Sequence, residues 1–261
     1  LRMGDGTLTD LTTGVLSDPF GSGHMGVTAE NVAHAFGLSR ADLDAFAVES
    51  HRRACAAIKG GRFDDQIVPV TVSRGREVST VARDEHPRPD ATMSALARLR
   101  PVFKPDGIVT AGNASGLNDG AAALVLTSAA EARRRGLVPR ARLVGYAFAG
   151  VSPQLMGLGP IPAVRQVLAQ TRLSVDQFDV IESNEAFAAQ AMAVARELRF
   201  DEARVNPNGG AVALGHPVGA TGSILVVKTL AELERIGGRF GLVTLCIGGG
   251  QGIALAVEHL A

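Results

Sequence analysis

The sequence predicts a layered α/β fold, in which helices cover a sheet of buried strands. Apolar, strand-like segments alternate with amphipathic helical segments along the second half of the chain. The chain then closes with two apolar strands, residues 241–246 and 252–258, which are joined through the glycines at 248–250. Hydrophobic residues make up 46% of the 261 residues, which is enough to fill such a core.

The composition argues against several classes of protein. The 26 Lys and Arg residues balance 26 Asp and Glu residues, whereas a dedicated nucleic-acid binder needs excess positive charge to neutralise phosphates. No apolar run in the sequence approaches the roughly 20 residues that span a bilayer. The 2 cysteines are too few for a disulfide framework or a Cys-rich zinc site.

Capping signals define two of the predicted helices. Ser39 and Asp42 form a capping box that starts a helix ending near residue 59, because two glycines follow. Ser128 and Glu131 form a second box, which starts a short helix ending at residue 136. Periodicity predicts further helices at residues 25–36, 93–99, 161–170, 185–197 and 218–235, and strands at residues 66–73, 107–111, 121–127, 141–149 and 178–182.

Polar residues follow the predicted strands at three places, where α/β proteins usually carry their chemistry. Asn184 and Glu185 follow the strand at 178–182, and a segment rich in asparagine and glycine at 206–223 contains His216. Cys246 ends the strand that precedes the glycines at 248–250.

Each of these residues also has a purely structural explanation. Cys246 could be a small buried hydrophobic residue, and His216 could serve only as a structural hydrogen-bonding group. Asn184 and Glu185 could cap the helix that follows them. The segment 215–222 is not a phosphate-binding P-loop, because Ala220 stands where that motif needs lysine. The remaining histidines lack a second metal ligand at useful spacing and are expected on the surface or in loops: His34, His51, His86 and His259.

Taken together, the three clusters suit deprotonation next to a carbonyl group. Cys246 can accept the proton and His216 can act as an electrophilic donor, both held by glycine-rich turns. The Asn184 amide can hold a water as a further donor. We therefore expect an enolate whose oxygen is stabilised by imidazole and water.

The sequence resembles the thiolase family in motifs that keep the family's order. These are HMGVTAENV at 24–32, VTAGNASGLNDGA at 109–121, NEAFAAQ at 184–190, NGGAVALGHPVGATGS at 208–223 and CIGGGQG at 246–252. The resemblance implies the layered α/β/α/β/α thiolase fold. It also implies acyl transfer between coenzyme A thioesters, either Claisen condensation of two acetyl-CoA molecules or thiolysis of acetoacetyl-CoA or another 3-ketoacyl-CoA.

The resemblance implies a role for each candidate catalytic residue. Cys246 is the acid/base that removes the α-proton of the attacking acetyl group. His216 and a water bound by Asn184 form the oxyanion hole for the enolate, and the Gly248 N–H contributes to a second oxyanion hole. Removing one such donor lowers the rate by a factor on the order of 10² to 10³, so we expect His216→Ala to be severe.

Coenzyme A is implied to bind mainly to the first part of the chain. Ser115 contacts the pantetheine and Arg88 lies along the adenine, while the Arg-rich stretch 74–104 suits the 3′-phosphate or is only a solvated basic face. Ala95 stands where the family's tunnel motif commonly has serine. The residues before Gly26 resemble the short-chain, biosynthetic branch, so acetoacetyl-CoA is the expected substrate. The tunnel is implied to be lined by Leu16, His24, Met25, Phe103, Met156 and Phe187.

The family's nucleophilic cysteine has no match in this sequence. Cys55 lies in a helical segment, without the glycine-rich or helix-start setting of an activated thiol. By the resemblance, residues 1–116 form a coenzyme A-covering loop domain, 117–139 the returning strand and helix of the N-terminal core half, and 140–261 the C-terminal core domain. The N-terminal core half is expected to be mostly absent, and the chain alone to be inactive.

Other functions stay open at this point. The chain could be a non-catalytic coenzyme A-binding or assembly module, although the presence of Asn184, His216 and Cys246 together argues against a decayed site. It could also be a broader-range 3-ketoacyl-CoA thiolase. Condensing relatives of the carrier-protein or hydroxymethylglutaryl type are disfavoured by the pairing of Cys246 with the GHP motif. The resemblance further implies acetyl-CoA, acetoacetyl-CoA and coenzyme A as ligands, a homodimer or homotetramer, a cytoplasmic location, a role in fatty acid metabolism, and no metal or redox cofactor.

Overall fold

The computed structural model describes residues 3, 6 and 8–260 of the chain. Within that part, no helix is long and apolar enough to cross a membrane. The helices are α1 (Leu11–Val15), α2 (Met25–Ala35), α3 (Arg40–Lys59), α4 (Met93–Leu96), α5 (Ala129–Arg134), α6 (Pro160–Thr171), α7 (Ala188–Leu198), α8 (Ala211–Leu214) and α9 (Thr221–Ile236). The strands are β1 (Val70–Arg74), β2 (Glu77–Val81), β3 (Ala141–Gly150), β4 (Val180–Ser183), β5 (Phe240–Ile247) and β6 (Gln251–His259), and short 3-10 helices cover Pro153–Leu158 and Val175–Gln177.

The main sheet has the strand order β3-β6-β5-β4. β6 is antiparallel to both β3 and β5, whereas β4 is parallel to β5. The parallel register pairs Ser183 with Thr244, so the carboxyl ends of β4 and β5 lie side by side. Asn184 and Cys246, which stand at those two ends, therefore share one edge of the sheet.

Helices cover both faces of this sheet. Ile181 packs in a cluster with α6 and α7, while its neighbour Val180 packs against Leu230 and Leu233 of α9. Successive side chains of a strand point to opposite faces, so β4 joins two cores. The predicted layered α/β arrangement is confirmed for this part of the chain.

The helices α2 and α3 bring the first part of the chain onto the sheet domain. Met25, Ala29 and Leu43 pack in one buried cluster with Phe187 and Ala188 at the start of α7. This packing places two of the predicted coenzyme A-binding residues, Met25 and Phe187, beside the carboxyl edge of the sheet. The three-part division at 1–116, 117–139 and 140–261 stays a prediction.

Several predicted elements are confirmed with nearly the expected bounds. Ser39 and Asp42 form the reciprocal capping box at the start of α3, and the chain turns at Gly60. The glycines at 249 and 250 have φ of +82° and +89°, which lets β5 turn tightly into β6. The second capping box is only half formed, because the Glu131 carboxylate binds Arg134 and Arg135 instead of the Ser128 N–H.

Two predicted strands in the middle of the chain are wrong. Residues 107–111 make only a single bridge, between Thr110 and Pro101. Residues 121–127 have no regular structure, and Val125 and Leu126 are 93% and 79% exposed. A strand needs a hydrogen-bonding neighbour, and none of the described residues pairs with this segment, so the apolar run alone did not decide its conformation.

Candidate active site

Asn184 and His216 meet at the carboxyl edge of the sheet. The Asn184 N–H donates to the carbonyl of Thr244 over 2.9 Å, which fixes the chain as it leaves β4. The Asn184 side chain is buried, and its Nδ2 lies 3.3 Å from His216 Nε2. Among the described residues, the Asn184 Oδ1 has no hydrogen-bond partner. The Asn184 Oδ1 is therefore free to accept a hydrogen bond beside His216 Nε2.

The backbone of His216 is held by the turns on either side of it. Gly215 has φ +94°, and a Cβ there would lie 2.2 Å from Asn118 Oδ1, so only glycine fits before His216. The His216 N–H donates to the carbonyl of Gly116 over 3.1 Å. Its Nδ1 lies 2.7 Å from Thr221 Oγ1 in the first turn of α9. Burial lowers the pKa of His216 below its ordinary value, so the ring is neutral at pH 7.

Cys246 lies near the end of β5, buried among apolar side chains. It packs in one cluster with Met25, Met156 and Phe187. This desolvation raises the pKa of the thiol to about 12, so the resting group at neutral pH is the thiol and not the thiolate. A buried thiol of this kind suits a proton donor whose thiolate form is a strong base.

Gly248 begins the turn that follows Cys246. A Cβ at Gly248 would lie 2.7 Å from Met25 Cε, so the glycine lets the methionine methyl pack against the strand end. Met25 is in turn anchored where its N–H donates to the carbonyl of Leu16 over 2.8 Å. The side chain of Met25 thus packs the start of α2 against the turn that follows β5.

The buried carboxyl group of Glu185 connects α3 to residues 206–212, the segment that precedes His216. Glu185 accepts hydrogen bonds from Ser50 Oγ at 2.6 Å, Asn206 Nδ2 at 2.8 Å and the Val212 N–H at 3.2 Å. Burial raises the pKa of Glu185 against the lowering effect of these donors. The suggestion that Glu185 caps the following helix is wrong, because the N-cap residue of α7 is Phe187.

A buried ion pair supports the same loop from below. Lys228 of α9 donates to Glu182 Oε2 at 2.6 Å and to the carbonyl of Gly209 at 2.8 Å. The two side chains are 6% and 0% exposed. The pKa of Glu182 is raised to about 6, chiefly by burial and against the pull of Lys228.

The structure brings most of the predicted coenzyme A-binding residues to this edge. His24 stacks on Phe103 with ring centroids 4.7 Å apart, and Phe103 meets the edge of Phe187 at 6.1 Å. Met156 is buried in the same cluster as Cys246. Ser115 Oγ donates to the carbonyl of Ala186 over 3.0 Å, between β4 and α7.

Other predicted residues lie elsewhere. Arg88 is exposed, and its backbone N–H donates to His51 Nδ1 over 3.1 Å. The expectation that His51 is a surface residue is wrong, since it is 5% exposed and desolvation lowers its pKa to about 4. Ala95 packs against the cluster of Leu96 and Val212.

Cys55 and His86 are both partly buried. Cys55 lies half-buried on α3, and desolvation raises its pKa. His86 is also partly buried, with Nδ1 2.7 Å from the carbonyl of Ala213. Within the described part of the chain, no group of three or more His, Cys, Asp or Glu side chains is placed to hold a metal ion.

Sequence reasoning missed the side chains that support the site. The sequence analysis singles out none of Thr221, Ser50 and Lys228. The signal for Thr221 is its position five residues after His216, with a Pro-Val-Gly turn between them. Ser50 and Lys228 reach the site through helix packing, which local sequence does not reveal.

Comparison with known proteins identifies the family. The family model of the thiolase N-terminal domain matches residues 1–130, and that of the thiolase C-terminal domain matches residues 137–259. The chain belongs to the thiolase family. The match of the N-terminal domain model corrects the expectation that the N-terminal core half is mostly absent. The expected inactivity of the chain on its own stays a prediction.

Individual thiolases are similar along nearly the whole chain. Beta-ketothiolase BktB of Cupriavidus necator is 59% identical over 99% of this chain and 66% of its own length. Beta-ketoadipyl-CoA thiolase of Pseudomonas aeruginosa is 56% identical over 94% of this chain and 62% of its own length. The crystal structure of the Bacillus anthracis acetyl-CoA acetyltransferase superposes with a TM-score of 0.96 at 49% identity, covering 99% of this chain and 66% of that one. The chain thus spans about two thirds of the length of these relatives.

Proposed function

We propose that this thiolase site takes the α-proton from the acetyl group of acetyl-CoA and so serves acetyl-CoA C-acetyltransfer. The observation that carries the proposal is the contact of Asn184 with His216 at 3.3 Å, on the same sheet edge as the buried thiol of Cys246. An acid/base and two oxyanion donors are the groups that enolate formation requires. One of the similar proteins, that of Bacillus anthracis, is named an acetyl-CoA acetyltransferase.

The proposed steps balance in atoms and charge. The Cys246 thiolate takes the α-proton, and the C–H electron pair moves into an enolate whose oxygen accepts a hydrogen bond from His216. The enolate carbon attacks the carbonyl carbon of an acyl thioester, forms the C–C bond and expels a thiolate. That thiolate takes the proton from the Cys246 thiol, which regenerates the base. Thiolysis of acetoacetyl-CoA is the same sequence in reverse: the Cys246 thiolate takes the proton of the incoming thiol, and the Cys246 thiol returns it to the expelled enolate carbon.

The neutral state of His216 fits this role. A neutral imidazole stabilises an enolate by donating a hydrogen bond without giving up its proton, as long as the nitrogen that faces the substrate carries the hydrogen. In the proposal, a water held by Asn184 supplies the second donor. The Gly248 N–H supplies a donor for the tetrahedral intermediate on the acyl thioester.

The apolar surface near Cys246 supports binding of the pantetheine arm. Met25 and Phe187 pack in the same buried cluster as Cys246, Phe103 packs against that cluster, and His24 stacks on Phe103. In the proposal, Leu16 and Met156 extend this surface, Ser115 contacts the pantetheine and Arg88 lies along the adenine. The expected homodimer or homotetramer stays a prediction.

A second candidate is thiolysis of other 3-ketoacyl-CoA substrates. The names of two similar proteins, beta-ketothiolase and beta-ketoadipyl-CoA thiolase, favour it. The two candidate functions are distinguished by measuring kcat/KM for thiolysis of acetoacetyl-CoA and of 3-ketoacyl-CoA esters with longer or carboxylated chains. A kcat/KM highest for acetoacetyl-CoA supports the short-chain proposal, and one that rises with chain length overturns it.

Deuterium exchange tests the proton-abstraction step directly. The chain is incubated with acetyl-CoA in D₂O, and loss of the methyl proton signal is followed by NMR. We expect Cys246→Ala to reduce exchange to the uncatalysed rate and His216→Ala to slow it by about 10² to 10³. Cys55→Ala is the matched control, because this half-buried thiol on α3 lies outside the proposed site.

The outcome that contradicts the proposal is equally concrete. Exchange that is equal in the unmodified chain and in Cys246→Ala would show that Cys246 is not the base. If calorimetry then still detected coenzyme A binding, the alternative of a non-catalytic coenzyme A-binding module would replace the proposal. Full activity of Cys246→Ala together with loss in Cys55→Ala would reverse the assignment of the two thiols.

A further inference from the structure

A hydroxyl group lies behind the catalytic imidazole, on the side away from Asn184. Thr221 is 3% exposed, and its Oγ1 is 2.7 Å from His216 Nδ1. The same Oγ1 lies 2.9 Å from the carbonyl oxygen of Pro217. Because a threonine hydroxyl has one hydrogen, it can donate to only one of these two neighbours at a time.

The carbonyl oxygen of Pro217 already has other donors. It accepts the N–H of Ala220 at 2.8 Å and the N–H of Thr221 at 2.9 Å. A carbonyl oxygen has two lone pairs, so these backbone donors occupy both. The hydroxyl hydrogen of Thr221 therefore gains more by pointing to His216 Nδ1, which is also the shorter of its two contacts.

The direction of that single hydrogen decides the tautomer of the ring. If Thr221 donates to Nδ1, then Nδ1 carries the lone pair and Nε2 carries the hydrogen of the neutral imidazole. Nε2–H then faces the side-chain amide of Asn184. The buried Asn184 Oδ1 has no partner among the described residues, and a flip that exchanges the amide oxygen and nitrogen lets this oxygen accept the hydrogen of Nε2. If Thr221 instead donated to Pro217, Nε2 would carry a lone pair and could stabilise no oxyanion.

We infer that Thr221 is a positioning residue, whose hydroxyl holds His216 in the tautomer that donates from Nε2 toward the substrate oxygen. This inference rests on the proposed function for its catalytic consequence, but the tautomer itself can be observed without any substrate. Its location at the start of α9 gives Thr221 a rigid base, because α9 packs on the sheet through Leu230 and Leu233.

The test combines Thr221→Val with nitrogen-15 NMR of the imidazole. In the unmodified chain we expect a protonated Nε2 and an unprotonated Nδ1, assigned by loss of the signals in His216→Ala. Thr221→Val keeps the shape but lacks the donor, so we expect both tautomers to be populated and the two nitrogen shifts to move toward each other. Acetyl-CoA methyl exchange should fall in kcat by about 10-fold, less than the 10² to 10³ for losing the whole oxyanion donor, because the correct tautomer stays partly populated, while KM changes by less than about 2-fold.

Two further variants separate positioning from a general loss of structure. Thr221→Ser keeps the hydroxyl and should retain the Nε2–H tautomer and most of the exchange rate. Thr229→Val is the matched control, because Thr229 is fully buried on the same helix and its hydroxyl donates only to the carbonyl of Leu225, at 2.8 Å. It should leave the tautomer of His216 unchanged.

The results that overturn the inference are specific. A protonated Nδ1 in the unmodified chain, or a single Nε2–H tautomer with unchanged kcat in Thr221→Val, would refute it. Loss of the tautomer in Thr221→Ser would also refute it, because the hydroxyl would then not be the deciding group. If the unmodified chain shows the Nε2–H tautomer, Thr221→Val loses it, and no chain exchanges protons, the tautomer assignment holds and the proposed function fails.

Discussion

The buried ion pair of Glu182 and Lys228 makes a sharp prediction about stability. Replacing Lys228 by methionine preserves most of the apolar volume of the side chain but removes its charge. Glu182 then loses the donor to its Oε2, and the carbonyl of Gly209 loses a donor as well. Since Glu182 Oε1 has no partner among the described residues, the carboxylate would be left without compensation in the core.

The size of the effect follows from burial and distance. The charged atoms are 2.6 Å apart and the side chains are 6% and 0% exposed. At an effective dielectric constant near 20, two charges about 4 Å apart interact by about 4 kcal/mol. Breaking a buried pair on one side typically destabilises a protein by about 3 to 5 kcal/mol. We therefore expect Lys228→Met to lower the free energy of unfolding by about 4 kcal/mol at pH 8.

The destabilisation should depend on pH in a defined direction. The folded-state pKa of Glu182 is about 6, above the ordinary value of 4.5, and loss of Lys228 raises it further. A carboxyl group with a raised folded-state pKa is unfavourable when ionised, and this cost disappears below its unfolded pKa. The difference in free energy of unfolding between Lys228→Met and the unmodified chain should therefore shrink as the pH falls from 8 to 5.

Equilibrium unfolding in urea, measured on both chains at each pH, checks this prediction. Arg165→Met is the control, because the Arg165–Glu197 pair is also 2.6 Å long but 57% and 43% exposed, and such pairs contribute about 0 to 1 kcal/mol. The double variant Glu182→Leu/Lys228→Met should recover much of the loss. A loss below about 1 kcal/mol, or one that is the same at pH 5 and pH 8, would refute the reasoning.

Two other predictions concern the thiol of Cys246, the proposed base, and a close backbone contact at Gly252. Because the pKa of Cys246 is about 12, the thiolate fraction and the acetyl-CoA exchange rate should rise about tenfold per pH unit between pH 7 and 9, whereas a plateau in that range would contradict the raised pKa. A Cβ at Gly252 would lie 2.0 Å from the Gly159 carbonyl carbon, so Gly252→Ala should lower the free energy of unfolding by about 3 kcal/mol or more in urea unfolding. Gly222→Ala is its control, because a Cβ there meets no described atom within 4 Å, and a cost as large as that of Gly252→Ala would contradict the steric explanation.

Local signals predicted the fold well wherever one segment contained all the information. The bounds of α3 follow from the Ser39 capping box at one end and from Gly60 at the other, and both lie within the segment itself. The turn between β5 and β6 follows likewise from consecutive glycines. The strand prediction for 121–127 was wrong because an apolar run does not specify a partner strand. Val125 and Leu126 of this run are exposed in the described structure.

The residues proposed to react stand out in the sequence, whereas the residues that support them do not. Asn184, His216 and Cys246 are conspicuous because each stands in a glycine- or asparagine-rich turn at a strand end. Glu185 lies in the same motif, but its partner Ser50 is on α3, far away in sequence. Contacts of that kind depend on how helices pack, which periodicity does not contain.

The buried ion pair of Lys228 and Glu182 helps to hold the backbone near a site whose proposed reacting groups are neutral. Burial keeps both Cys246 and His216 neutral, so the proposed proton transfer takes place in surroundings where hydrogen bonds are strong. The buried Lys228 contacts both Glu182 and the carbonyl of Gly209, and the buried carboxyl group of Glu185 accepts the N–H of Val212. Charge thus secures the backbone that carries His216, while the imidazole itself contacts the uncharged side chains of Asn184 and Thr221. A charged residue in the place of Thr221 would shift the protonation of the ring, and a neutral hydroxyl instead selects which nitrogen donates.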